Sequence, residues 1–142
     1  MKHTTVIFLA LLVLALLRGS PPVTAAQVAA EPQAASPTAK VIELAGKSGK
    51  EQPILGGMPE SYRMRSGLIM LAPGETVGQH STKNNEELLI VLEGSGEMIF
   101  GDRTRLALHA NSALYCPPDT VHDVLNSGTG TLRYVYVVSQ AK

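Results

Sequence analysis

His80 and His122 each stand a few residues after a proline-containing turn, Pro73-Gly74 for the first and Pro117-Pro118-Asp119 for the second. Residues i and i+2 of a strand face the same way, so His80 and Thr82 would point to one side of a strand. A return strand would then bring Glu86 or Glu87 beside them. Two neutral imidazoles and one carboxylate suit a divalent transition metal such as Fe, Mn, Ni, Co or Zn. Two histidines and a carboxylate with open positions is also the arrangement of non-haem Fe(II) oxygenases. A threonine hydroxyl is a poor ligand for such metals. Thr82 would therefore leave a coordination position to water or substrate, or hydrogen-bond a bound water. The same groups have a second reading, a metal-free polar cluster in which one carboxylate satisfies a pair of imidazoles.

The elements that must position these residues read as β. Strand-like runs bounded by turn formers recur at short spacing: Tyr62 to Leu71, Glu87 to Glu93, Glu97 to Phe100, Arg105 to Leu108, Ala113 to Cys116, Val121 to Asn126 and Leu132 to Val138. No window from Tyr62 onward holds a capped helical period. Seven or more short strands in so short a chain predict a sandwich or barrel, and we expect a compact β-barrel. The 142 residues allow one domain. Twelve basic residues balance twelve acidic ones, so no global positive field exists to attract nucleic acid. Aromatic residues are only 4% and tryptophan is absent, so the core must come from Val, Leu, Ile and Ala. The single cysteine, Cys116, excludes an intramolecular disulfide and any multi-cysteine zinc module.

The N-terminus carries Lys2 and His3, then an apolar run from Val6 to Leu17. Arg18 follows, with a Gly19-Ser20-Pro21-Pro22 turn and the small residues Val23, Thr24, Ala25 and Ala26. This is the pattern of a secretory signal peptide over residues 1–25, its apolar stretch shorter than the roughly 20 residues a membrane-crossing helix needs. The other reading is an uncleaved tethering helix. Cleavage removes Lys2 and Arg18 and leaves 10 basic against 12 acidic residues, a net charge of about −2. Residues 26–40, rich in Ala, Pro and Ser, are expected to form a flexible linker, and residues 41–142 the folded domain. The protein is thus expected to be secreted or periplasmic, with no membrane partner after cleavage.

Two stretches resemble the motifs of the cupin superfamily. Gly74, His80, Glu87 and Gly94 occupy the fixed positions of the first motif, G(X)5HXH(X)3,4E(X)6G, with Thr82 where the second histidine stands. The six residues before Gly94 select Glu87 over Glu86. Pro117, His122 and Asn126 match the second motif, G(X)5PXG(X)2H(X)3N. Asn111 and Asp119 replace its glycines, and these are the non-glycine residues that best tolerate positive φ. The resemblance covers about Ser61 to Val138. It implies an all-β fold, a single small β-barrel of the double-stranded β-helix or jelly-roll type. It also implies a divalent transition metal held by His80, Glu87 and His122.

Cupins include dioxygenases, isomerases, decarboxylases, sugar-binding modules and storage proteins, so the fold does not select a reaction. Two expectations follow. One is a metal-dependent enzyme, of dioxygenase or isomerase type, acting on a small oxygen-rich molecule. The other is a non-catalytic module that captures a sugar or another small molecule at a degenerate metal site. Arg63 and Arg65, beside Tyr62, are on the strand entering the first motif, where an arginine could hold a carboxylate or phosphate by a bidentate contact. Solvated strand charge is the alternative reading. Tyr115 and Cys116 alternate on one strand, so one faces inward and the other outward; Tyr115 is a further candidate for substrate contact. Cys116 is expected to be buried and inert, and His109 a solvated surface histidine. Apolar strand faces outside the barrel lead us to expect a homodimer, common among small cupins.

Overall fold

Between Asn85 and Glu93 the side chains of Glu87, Leu89 and Val91 are buried while Leu88 and Ile90 between them are exposed. This is the period of two required of a strand with one covered face. The same logic runs through a computed structural model that describes residues 36–141 other than Lys47, all within the compact unit Gln33–Lys142. The expected leader and most of the linker lie outside the described residues. The last linker residues, 36–40, have no regular secondary structure.

The described residues form nine strands and no helix. They are β1 (Glu51–Gly56), β2 (Met64–Leu71), β3 (His80–Ser81), β4 (Asn85–Glu93), β5 (Ser95–Phe100), β6 (Arg105–His109), β7 (Ala113–Cys116), β8 (Val121–Leu125) and β9 (Leu132–Gln140). A five-stranded sheet has the order β1-β2-β9-β4-β7, and a four-stranded sheet the order β3-β8-β5-β6. Every pairing is antiparallel. Leu71, Leu89, Val91, Leu114 and Leu132 of the first sheet meet Met98, Leu108 and Val124 of the second in one apolar core. Burying each such side chain contributes about 1.5–3 kcal/mol.

Two strands escape the reading of the sequence. β1 contains Pro53, a residue that normally argues against a strand. β1 is at the sheet edge, however, and its register shifts between Pro53 and Leu55, a place where a residue lacking an N–H is tolerated. β3 is only two residues long, too short for any periodicity. β2 starts at Met64 rather than at Tyr62, so Arg63 falls in the bend before it.

The turns obey the expected chemistry. Asn111 and Asp119 adopt φ of 65° and 56°, as their substitution for glycine implies. Gly94, between β4 and β5, has φ 79°, and a Cβ there would lie 2.2 Å from the Thr131 carbonyl oxygen, so only glycine fits. Asn126, fully buried just past β8, donates from its amide to the carbonyls of Leu71 and Gly130, each at 2.8 Å. Its own carbonyl accepts from Gly128 N at 3.0 Å. One side chain thus ties the end of β2 to the β8–β9 connection.

Candidate metal centre

The register brings the two histidines together. His80 of β3 is directly opposite His122 of β8, and their rings meet edge-on with centroids 4.4 Å apart. Glu87 projects toward them from β4 in the other sheet, so the three side chains come from both halves of the barrel. His122 is 1% exposed and Glu87 6%, while His80 is more open.

Both imidazoles are aimed by the main chain. His122 Nδ1 is 3.0 Å from the Thr120 carbonyl oxygen, and His80 Nδ1 is 2.8 Å from that of Gly78. A carbonyl only accepts, so each Nδ1 carries the proton and each Nε2 is left with a lone pair, the form a metal ligand requires. Cys116 Sγ, 3.3 Å from His122 Nδ1, lies on the far side of that ring from Nε2. Glu87 Oε2 is 3.1 Å from His122 Nε2, within hydrogen-bond length, yet neither atom makes a hydrogen bond and both are sealed from solvent. With the proton on Nδ1, two lone pairs face each other across that gap. Such a pair of orphaned acceptors is unfavourable by itself and is resolved by a cation. One donor atom from each of His80, Glu87 and His122 lies within 4.8 Å of the others. Small rotamer changes would bring them to the separations that metal bonds of about 2.0–2.2 Å demand. The residues therefore fit a divalent transition metal.

Protons compete for the same place. Burial opposes a charged His122, but the Glu87 carboxylate and the Thr120 carbonyl outweigh it and hold the imidazole pKa above its ordinary value. Thr82 is not the strand residue its spacing suggested. β3 ends at Ser81, Lys83 turns through φ 55°, and the Thr82 hydroxyl donates to the Asn85 carbonyl at 2.9 Å. Its proton is engaged, although the residue still borders the cavity described next.

A cavity of about 310 Å3 opens beside this group, lined by His80, Thr82 and Glu87 and walled by β1, β2 and β9. Arg65 is on that wall. Arg63 is exposed and not part of it. The structure does not bring Tyr115 to the cavity: Glu87 pairs with Cys116, so Cys116 faces inward and Tyr115 outward, 56% exposed, its hydroxyl donating to Glu86 at 3.1 Å. Cys116 is fully buried, and burial, then the Glu87 charge, pushes its thiol up to about 11, which makes it inert at neutral pH. His109 is exposed on β6.

Glu51, Tyr134 and Tyr136 also line the cavity and were not singled out in the sequence. Tyr136 donates to Glu51 Oε1 at 2.8 Å, and burial together with Glu51 raises its phenol to about 12. It lies directly across from Gly67, where a Cβ would come within 2.7 Å of its ring. The signal that could have found the tyrosines is the alternation Leu132, Tyr134, Tyr136, Val138 along the last strand.

The cupin domain family matches residues 67–138, just over half of the chain. The chain belongs to the cupin family. Among solved structures, this cupin is similar to a Cupin 2 conserved barrel domain protein from Salinispora arenicola, at 22% identity and TM-score 0.60. That match covers 73% of this chain and 92% of that one. An RmlC-like cupin protein from Desulfovibrio desulfuricans is 16% identical with TM-score 0.61, over 72% of this chain and 98% of that one. The cupin domain of Schizosaccharomyces pombe Cnp3 is 16% identical with TM-score 0.56. Here 63% of this chain is covered, and the match spans only 59% of the Cnp3 chain. These likenesses show the shared fold. No curated protein matches in sequence.

Proposed function

We propose that this cupin is an exported protein that binds a divalent transition metal through His80, Glu87 and His122, and acts as a metal-dependent enzyme of dioxygenase or isomerase type on a small oxygen-rich molecule. The observation that carries the metal reading is the buried pair of acceptors, Glu87 Oε2 and His122 Nε2, 3.1 Å apart with no hydrogen-bond donor for either. Without a metal, the gap is closed only by a second proton on the His122 imidazole, which is lost as pH rises. The leader-like residues 1–25 support export.

A bound Fe, Mn, Ni, Co or Zn ion supplies Lewis acidity to an oxygen donor, and iron additionally supplies O2 activation. The protein's own residues do the rest. The Gly78 and Thr120 carbonyls hold the two imidazoles in the ligand tautomer. Ile69, Val77 and Val138 give the cavity a partly apolar wall that limits water around a small ligand. The engaged Thr82 hydroxyl favours a second reading, in which the site has lost a ligand and the barrel captures a sugar or small molecule without turnover.

Elemental mass spectrometry on the mature domain, purified without chelator or metal-binding tag, tests this. About one equivalent of transition metal, lost in His80→Ala and His122→Ala variants that keep their β circular dichroism, is the expected result. No metal after reconstitution with each of the five ions refutes the metal reading. Full metal occupancy without oxygen uptake or isomerase turnover on small hydroxy and oxo compounds favours the binding module.

A further inference from the structure

The cavity wall opposite the histidines carries two hydrogen-bond donors that the protein itself does not use. The Arg65 side chain, exposed to solvent at the edge of the cavity it lines, makes no hydrogen bond or ion pair among the described residues. Tyr134 is 3% exposed, and its hydroxyl has no partner among the described residues. That oxygen is not among the buried atoms sealed from solvent, so it opens into the cavity the residue lines. Tyr136 next to it is different, because Glu51 already takes its proton. Open to the cavity and unused by the protein, the Tyr134 O–H is free to donate to a ligand acceptor there.

The registers place these donors relative to the metal-ligating group. Arg65 pairs with Val138, and Val138 with Glu87, so the three form one row across β2, β9 and β4. Adjacent strands are about 4.8 Å apart, which puts the Arg65 and Glu87 backbones roughly 10 Å from each other. With both side chains turned into the cavity, the gap suits a molecule of a few carbons. Tyr134 comes from the same face of β9 as Val138, four residues away.

We infer that Arg65 and Tyr134 form a carboxylate clamp, and that the cavity takes a small organic acid whose carboxylate rests on these donors while a neutral hydroxyl or carbonyl oxygen faces His80 and Glu87. This deepens the proposed function and rests on its reading of the cavity as the ligand site. Arg65 offers a planar fork that matches a carboxylate bidentately, and Tyr134 adds an O–H donor from the side. Burial raises the Tyr134 phenol well above its ordinary pKa, so it stays a donor at any physiological pH. The carboxylate of Glu51 at the same wall disfavours a second negative charge on the ligand, which selects a monoacid over a diacid.

Isothermal titration of the full mature chain with lactate and 3-hydroxypropionate, each against its neutral amide, tests the clamp. Zinc-loaded protein is used, with zinc content measured on the same samples. At least one acid is expected to bind 10-fold or more tighter than its amide. Arg65→Gln should abolish that preference, a loss of about 10- to 100-fold in acid affinity, with zinc content unchanged. Tyr134→Phe should weaken the acid by about 5- to 10-fold, and Arg65→Lys should restore part of the preference. Equal binding of acid and amide by the parent protein, or an undiminished acid preference in Arg65→Gln, overturns the clamp. Failure to load zinc refutes the metal reading instead. In that case the acid and amide titrations on the metal-free protein still decide the clamp by the same two criteria.

Discussion

Replacing Glu87 with glutamine separates stability from metal binding at a single atom. In metal-free protein, once pH has risen past the folded His122 pKa, His122 Nε2 and Glu87 Oε2 are two sealed acceptors 3.1 Å apart with no proton between them. Glutamine has nearly the same shape and can turn its amide N–H toward Nε2, converting two orphans into one hydrogen bond while removing a buried charge. Each unsatisfied buried group costs about 1–3 kcal/mol, so Glu87→Gln should stabilise the metal-free protein by about 1–3 kcal/mol. For a domain of this size each kcal/mol moves Tm by about 4–8 °C, giving a rise of roughly 4–24 °C. The parent protein should gain about 2.7 kcal/mol from a metal at 100-fold excess over its Kd, whereas the glutamine variant should gain little. The assay is thermal denaturation followed by circular dichroism, on chelator-stripped protein with and without added Zn or Mn. A lower Tm for the metal-free variant, measured at a pH where the parent's His122 has titrated to neutral, would refute the reasoning, because it would mean that the carboxylate is satisfied in the free protein and that the cluster is complete without a cation.

Other expectations follow from the same geometry. His122 has a folded pKa above its ordinary 6.5, so its contribution to stability is fully present below about pH 6.5 and is lost as pH rises through the folded value. Urea midpoints of metal-free protein should fall across that window, and metal affinity should rise over it as the proton leaves. Asn126→Ala removes one buried and two part-buried hydrogen bonds and should destabilise by about 2–4 kcal/mol in urea titrations, with no change in metal affinity per folded molecule. Cys116, with its thiol near 11 and no exposed surface, should resist an aromatic disulfide reagent at pH 8 until the domain unfolds. Immediate labelling of native protein would contradict its place in the core.

Much of the site was legible because its determinants are local. Gly94 fixes where β4 ends, and counting back six residues picks Glu87 over Glu86; the structure places Glu87 inside and bonds Glu86 to Tyr115 outside. Asn111 and Asp119 stand in for glycine because φ is a property of one residue and its side chain. What stayed hidden depends on pairing between distant segments. Glu51 reaches the cavity only because β1 docks on β2, and Tyr136 has room only because Gly67 lies across from it. Tyr115 could be assigned to the outer face only through the pairing of Cys116 with Glu87. The Thr82 hydroxyl turned to a carbonyl three residues ahead because β3 is too short to enforce strand alternation.

The two histidines share one local device: in each, Nδ1 bonds the carbonyl of the residue two places earlier, Gly78 for His80 and Thr120 for His122. Carbonyls belong to the peptide backbone, so exchanging the side chains at 79, 120 or 121 leaves both acceptors in place as long as the chain path is kept, whereas Gly78, at φ 104°, is itself held to glycine. The direction of the imidazoles is therefore insulated from drift in their neighbours. Glu87 has no such support on Oε2, which makes its carboxylate the one adjustable element of the trio. Changes in ion preference or tightness during divergence of this scaffold should accordingly accumulate around β4 rather than around β3 or β8.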